Sequence, residues 1–344
     1  VAEIFDDSRL DDESALAAAD DLLRPLAEAG ARVRREAGAA AEAIEEAVSS
    51  LAGDPRPRAV IAAGPDSRLL RAVLEPCCPV PFVAWPGPSL PGWAGTLDLV
   101  VVLAPEGDDA GAASAVAEAV RRGCRLVVAA APGSLVARHA VGRDAILLPA
   151  SAGDQLAMAV VMLELLDRLD LGPESDPEAV AVALDEVAIT CSPYRDLAVN
   201  PAKILAIALG DATPLVWGGS VLAARAARRV AESLRRSSGR AALAGDAEHL
   251  LPVMAATRSR DLFADPFADE GDGEPRPVLV VLDDGAEDPI VREQRGRLQA
   301  TAQRHDVRVE TLTAGEGEDV ARYAALLATG TYAAAYLAIG LGRS

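Results

Sequence analysis

An α/β fold of two doubly wound domains is predicted by three observations. An unbroken apolar run, Leu99–Leu103, entered through Leu97 and Asp98, is bounded by turn residues. Such a run reads as a strand buried on both faces of a parallel sheet. Strands around it alternate with short helices, the pattern of βαβ units. The 344 residues suffice for two ordinary domains, and the second half repeats the strand–turn–helix opening of the first.

In order, residues 9–52 are helical by the spacing of Leu16, Leu23, Leu26, Val33, Ile44 and Val48, with Pro25 and Gly30 marking a break. Gly53–Arg58 is a turn. Strand Ala59–Ala63, helix Ser67–Leu74, strand Val80–Ala84, strand Leu97–Leu103 and helix Ala112–Arg122 follow. Strand Arg125–Ala130, helix Leu135–Val141 and strand Ala145–Leu148 complete a five-stranded first domain near Pro149. Ala152–Leu169 is a long apolar helix, Gly172–Glu178 a linker, and Pro177–Ala188 a further helix. Asn200 caps the next, with Pro201 at its first position.

The second domain is expected to place strands at Pro214–Trp217, Ala241–Ala244, Pro277–Leu282 and Val307–Leu312. Helix Val221–Leu234 follows the first of these, and helix Val320–Leu341 ends the pattern. Ser259–Glu274, acidic and bearing Gly and Pro, is expected to be a mobile loop. The implied organisation is 1–52 as a helical segment on the first domain, 53–150 as that domain, 151–199 as linking helices and 200–344 as the second domain.

Composition excludes several functions. A net charge of −19 argues against nucleic acid and anionic membrane, which need a basic surface. No apolar stretch reaches about 18 residues, the length a membrane span requires. Residues 1–12 lack a basic region followed by an apolar one, so no signal peptide is expected. Cys77, Cys78, Cys124 and Cys191 show no CxxC spacing and read as reduced thiols in a cytoplasmic protein. With 3% aromatic residues the core is built from Ala, Val, Leu and Ile, and Trp93 and Trp217 read as core side chains.

Several segments together resemble the SIS (sugar isomerase) superfamily, and more narrowly the bifunctional phosphoglucose/phosphomannose isomerases. AVIAAGPDS at 59–67 stands where that family has its first strand and glycine turn. LPGWAGTLDLVVVLAPEG at 90–107 is similar to its run into the phosphate loop. NPAKILAIAL at 200–209 and PLVWGGSVLAARAARRVAESL at 214–234 are the most specific matches. The resemblance implies two SIS-type, flavodoxin-like domains with five-stranded, mostly parallel sheets flanked by helices. It points to the degenerate TobH-like branch, whose members accompany mannose-metabolism enzymes.

What the resemblance implies for the site is mostly loss. The phosphate loop of this family resembles SxSGxT, where hydroxyls and helix-end amides hold a dianion. Here the matching residues are Ala104, Pro105, Glu106, Gly107, Asp108 and Asp109, of which only Gly107 survives. One like-charge contact at about 4 Å costs roughly 4 kcal/mol at an effective dielectric of about 20. A helix dipole returns about 2 kcal/mol at most. Glu106, Asp108 and Asp109 suit Mg²⁺ or Ca²⁺ by type, but an acidic first helical turn explains them without a metal, and none is expected. Ser67 keeps its matching place in the first turn, with Arg68 beside it. These two either touch a sugar or an anion, or Ser67 or Asp66 is simply a helix cap. The family arginine at the start of the long helix is matched by Asp154, a charge reversal.

Aldose–ketose isomerisation needs a base that moves a proton between C1 and C2 and an acid that opens the ring. The family glutamate is matched by Arg236, with Glu232 and Glu248 nearby. The family histidine is matched by His249, the candidate catalytic residue. A family lysine follows an RGVDPTP-like run, at whose start this sequence has residues 340–344. Lys203, the only lysine, belongs to NPAK. Gly218, Gly219 and Ser220 form the best surviving anion cradle, and also suit a tight strand-to-helix turn.

The expectation is a catalytically degenerate homologue of glucose-6-phosphate and mannose-6-phosphate isomerases. It acts by binding a carbohydrate derivative or a partner, without a cofactor. Partners are a sugar phosphate, a second copy in a homodimer, or a mannose-metabolism enzyme. The alternative is an active isomerase interconverting mannose 6-phosphate or glucose 6-phosphate with fructose 6-phosphate.

Overall fold

The strand β3 (Leu99–Ala104) is buried at every residue in the computed structural model. The structure describes residues 4–51, 53, 55–150, 153–257 and 275–343; the expected loop Ser259–Glu274 lies outside the described residues. The chain divides into two compact units, one formed by Gly30–Val182 and the other by Val1–Ala29 with Ala183–Ser344.

Three helices come first: α1 (Glu13–Ala18), α2 (Asp20–Ala27) and α3 (Ala29–Leu51). The unit 30–182 then builds its sheet from β1 (Val60–Ala63), β2 (Phe82–Trp85), β3, β4 (Arg125–Ala130) and β5 (Ala145–Pro149). All pairings are parallel, in the order β2-β1-β3-β4-β5. Helices α4 (Ser67–Leu74), α5 (Ala110–Arg122), α6 (Leu135–His139) and α7 (Gln155–Arg168) connect or cover the strands. Ala112, Ala115, Val116 and Ala119 of α5 join Val100, Val102, Leu126 and Val128 in one core. Small side chains on α5 let an aromatic-poor sequence reach close packing. Residues Ala157–Leu163 of α7 are all buried, as an apolar circumference requires.

Asp98, the polar residue at the entry to β3, is fully buried. It is satisfied by Arg58 (2.6 and 3.0 Å) and the Gly95 amide (2.8 Å). The same guanidinium lies 5.6 Å from the centre of the Trp93 ring. Trp93 is therefore not a core side chain as expected but a half-exposed one, covering a surface arginine.

α8 (Pro177–Thr190) leads into the second unit, which continues with α9 (Pro201–Leu209) and β6 (Ala212–Gly218). Then come α10 (Val221–Ser238), β7 (Leu243–Ala244), α11 (Ala247–Ala255) and β8 (Arg276–Asp283). α12 (Pro289–Arg304), β9 (Arg308–Thr313) and α13 (Asp319–Gly340) complete it. This sheet has four parallel strands, β7-β6-β8-β9, rather than the five expected. The chain leaves β9 for α13, whose length and apolarity go into covering the layer, and β7 has only two residues. Trp217, 1% exposed, is a core residue here, with Leu215, Leu279, Val281 and Leu298. α13 is long and apolar enough to cross a membrane, yet 72% of its apolar window lies buried within the protein, as a core helix would.

Residues 1–52 do not act as one piece on the first sheet. Up to Ala29 they belong with the second unit, and α3 lies with the first. The reason is local: the Asp6 amide donates to Gly340 O (2.9 Å), Arg9 Nε to Ile339 O (2.7 Å), and the Phe5 ring packs on Gly210 and Gly340.

Candidate functional site

In an open parallel sheet, ligands bind beyond the carboxyl ends of the strands where the strand order reverses. In the first sheet that point lies between β1 and β3, so the turn after β1 and the loop after β3 face each other there. Gly64, at φ +88°, makes the first turn possible, and a Cβ there would lie 3.4 Å from Cβ of Ala112 of α5. Ser67 opens α4. It is 1% exposed, and its hydroxyl has no hydrogen-bond partner among the described residues. Arg68 points outward and is exposed. Asp66 accepts a hydrogen bond from the Gln155 side chain at the start of α7.

The loop Ala104–Asp109 carries its carboxylates as caps and surface groups. Asp109 caps α5 by accepting from the Ala112 amide (2.6 Å). Glu106 and Asp108 are exposed. Gly107, at φ +73°, survives for a packing reason, because a Cβ there would lie 2.7 Å from Cβ of Ser134. Its carbonyl accepts from the Val136 amide (3.0 Å), which fastens the loop to the start of α6. At α7, Asp154 accepts from the Leu156 and Ala157 amides (2.9 and 3.2 Å) and pairs with Arg32 (2.9 Å). The amides that would cradle an anion at α5 and α7 are thus taken by the chain's own carboxylates. Among the described residues, no three or more of His, Cys, Asp and Glu gather as a metal site.

The second switch point lies between β6 and β8. Gly218 and Gly219 are required by space. A Cβ on Gly218 would fall 2.2 Å from the Ala223 backbone, and one on Gly219 would fall 2.3 Å from Val291. Ser220 caps α10, accepting from the Ala223 amide (3.0 Å), and its hydroxyl donates to the Asp284 carboxylate. Arg322 donates to Asp284 O (2.9 Å) and pairs with Asp319. Asp283 is held by Arg295 through two bonds of 2.7 Å. The Gly-Gly-Ser turn is intact, and a carboxylate already sits on its hydroxyl.

His249 lies on α11 with its ring exposed, and it makes no side-chain hydrogen bond to another described residue. The two carboxylates that sequence offered as bases are occupied. Glu232 pairs with Arg229 (2.9 Å) and Arg236 (2.7 Å). Glu248 pairs with Arg297 (2.6 Å), whose guanidinium holds its carboxyl below the usual range. A general base for carbon acids works best with a pKa raised toward neutrality, and pairing moves Glu248 the other way. Sequence reasoning missed Asp284 and Arg322. Asp284 stands alone in an unremarkable Asp-Asp-Gly turn, and only the pairing of β6 with β8 brings it to Ser220.

Residues 198–343 match the family described as bacterial phospho-glucose isomerase C-terminal SIS domain. No curated protein matches the chain. Solved structures align over nearly its whole length. Tagatose-6-phosphate ketose/aldose isomerase from Escherichia coli superposes with a TM-score of 0.64 at 14% identity, covering 94% of this chain and 92% of that one. The fold is that of the phosphosugar isomerases. The C-terminal domain of glucosamine-fructose-6-phosphate aminotransferase from Francisella tularensis gives 0.64 at 15% identity, over 93% and 96%. A glucose-6-phosphate isomerase-like protein from Thermus thermophilus gives 0.50 at 20% identity, over 83% and 82%.

Proposed function

We propose that this SIS-fold chain works by binding rather than by aldose–ketose isomerisation, as a degenerate, TobH-like relative of the bifunctional phosphoglucose/phosphomannose isomerases. Its role is to recognise a carbohydrate derivative or a partner enzyme of mannose metabolism. One observation carries the reading: the places where the scaffold would hold a phosphate are capped internally, by Asp109 and Asp154 at the first switch point and by Asp284 at the second. A dianion entering there would meet carboxylates and find the helix-end amides already used. The proton-transfer groups support the same reading, since Glu232 and Glu248 are ion-paired and the exposed His249 makes no orienting side-chain hydrogen bond among the described residues.

A second reading, an active isomerase of mannose 6-phosphate or glucose 6-phosphate with a rebuilt site, is favoured by Ser67. Its buried hydroxyl is unsatisfied among the described residues at the family's first turn, and such a group costs free energy unless something fills its place. Thermal shift with the three hexose 6-phosphates, together with a coupled isomerase assay, separates the readings. The binding reading expects no turnover. Saturable stabilisation with turnover that falls in His249→Ala and Ser67→Ala would establish the second.

A further inference from the structure

β3 and β4 begin side by side, with Leu99 opposite Arg125 in the register, at the end of the sheet remote from the switch point. A hollow of about 340 Å³ opens there, within the unit 30–182. Leu99 and Leu171, 2% and 3% exposed, line it together with Val48 and Leu51 from the end of α3. Every apolar residue of the lining is aliphatic. The volume lies at the lower end of the roughly 300–1,000 Å³ of ligand pockets, the scale of a small metabolite.

Four charged side chains share this lining, and two are already committed. Glu45 holds Arg168 by bonds of 2.6 and 2.8 Å, and Arg125 donates to Pro55 O (3.2 Å). Arg56 and Asp170 are not: neither side chain hydrogen-bonds or ion-pairs with any described residue, nor with the other. Asp170 has no capping task either. It sits just past α7 at φ +55°, where the Leu169, Asp170 and Leu171 amides already satisfy the Leu165, Asp167 and Leu166 carbonyls (3.1, 2.9 and 2.8 Å). Asp tolerates this backbone region because its carboxylate can bond locally, yet here it makes no such bond.

We propose that this hollow binds a small aliphatic α-amino acid of the size of leucine. Its carboxylate pairs with Arg56, its ammonium with Asp170, and its side chain lies on Leu99 and Leu171. A guanidinium takes a carboxylate through paired N–H donors. Two opposite charges kept apart over an apolar lining match a zwitterion. A plain anion would meet Asp170, and a plain cation would meet Arg56 and Arg125. None of these residues belongs to either switch point, so the inference stands apart from the functional reading.

Isothermal titration of the full chain with L-leucine tests it. Saturable binding is expected. The acid 4-methylpentanoate and the amine 3-methylbutylamine, which each lack one charge, should bind at least about tenfold more weakly. Arg56→Gln should erase the preference for leucine over the amine, and Asp170→Asn the preference over the acid. Asn tolerates the left-handed turn, so Asp170→Asn should keep the circular dichroism of the wild type. No saturable heat with leucine, equal binding of the acid and the amino acid, or variants that discriminate as the wild type does would overturn it.

Discussion

The Asp154 carboxylate lies between the first turn of α7 and the Arg32 guanidinium: one oxygen accepts from the Leu156 and Ala157 amides, and the other lies 2.9 Å from Arg32 Nε. The acid thus caps the helix and holds Arg32 at once. Asp154→Ala removes the cap and half of a mostly buried pair, and should cost about 1–2 kcal/mol in urea unfolding. Asp154→Asn keeps the cap acceptor and should cost less. Equal losses in the two variants would mean that the ion pair, not the cap, is what Asp154 provides.

Asp284 should be the group that bars an anion from the Gly-Gly-Ser turn. Asp284→Ala frees the Ser220 hydroxyl and the positive end of α10. Inorganic phosphate at about 10 mM should then raise the melting temperature of the variant and leave the wild type unmoved. A flat response from both proteins would remove Asp284 from the account.

Thiol chemistry should divide the cysteines in two. Cys77 is exposed and Cys78 half-buried at the end of α4, whereas Cys124 and Cys191 are buried. Burial pushes the Cys191 thiol up to about 11, which keeps it from the reactive thiolate form near neutrality. An aromatic disulfide reagent should titrate Cys77 and Cys78 in the folded protein, with the other two following only on unfolding. Rapid reaction of Cys191 in the native state would show that the packing around it opens.

The acid limb of stability should be sensitive to Glu118. Hydrogen bonds from Arg121, then Arg122, hold its carboxyl at about 2, well below its ordinary 4.5. A depressed carboxylate stabilises the fold above the unfolded-state value, and that contribution is lost as pH falls through the folded value. The melting temperature of the wild type should therefore exceed that of Glu118→Gln near neutrality. The gap should narrow between about pH 4.5 and 2. A gap that persists unchanged to pH 2 would contradict the assignment.

Much of the fold was legible because hydrophobic period reports burial directly. The runs at β3 and β4, the all-apolar face of α7 and the Asn200-Pro201 helix start lie where the pattern put them. The second sheet has the four strands that the hydrophobic pattern offers and not the five that the resemblance implies, and the apolar C-terminal segment is the helix α13, as its spacing predicts. Residues 4–29 group with the second unit, which amphipathic spacing cannot announce because it shows that a face is buried but not against what. Local capping was readable at the site, as with Asp109 before a helix. The contacts of Asp284 with Ser220 and of Arg32 with Asp154 join residues 64 and 122 positions apart, and no local pattern announces them.

The proposed function rests on the loss of hexose-phosphate chemistry from this scaffold. Isothermal titration with mannose 6-phosphate, glucose 6-phosphate and fructose 6-phosphate, with isomerase turnover followed on the same protein, tests it most directly. No interconversion of any pair and no saturable heat from the phosphate group are expected. Tight binding accompanied by turnover would contradict it, and would mean that the capped helix ends open to admit substrate.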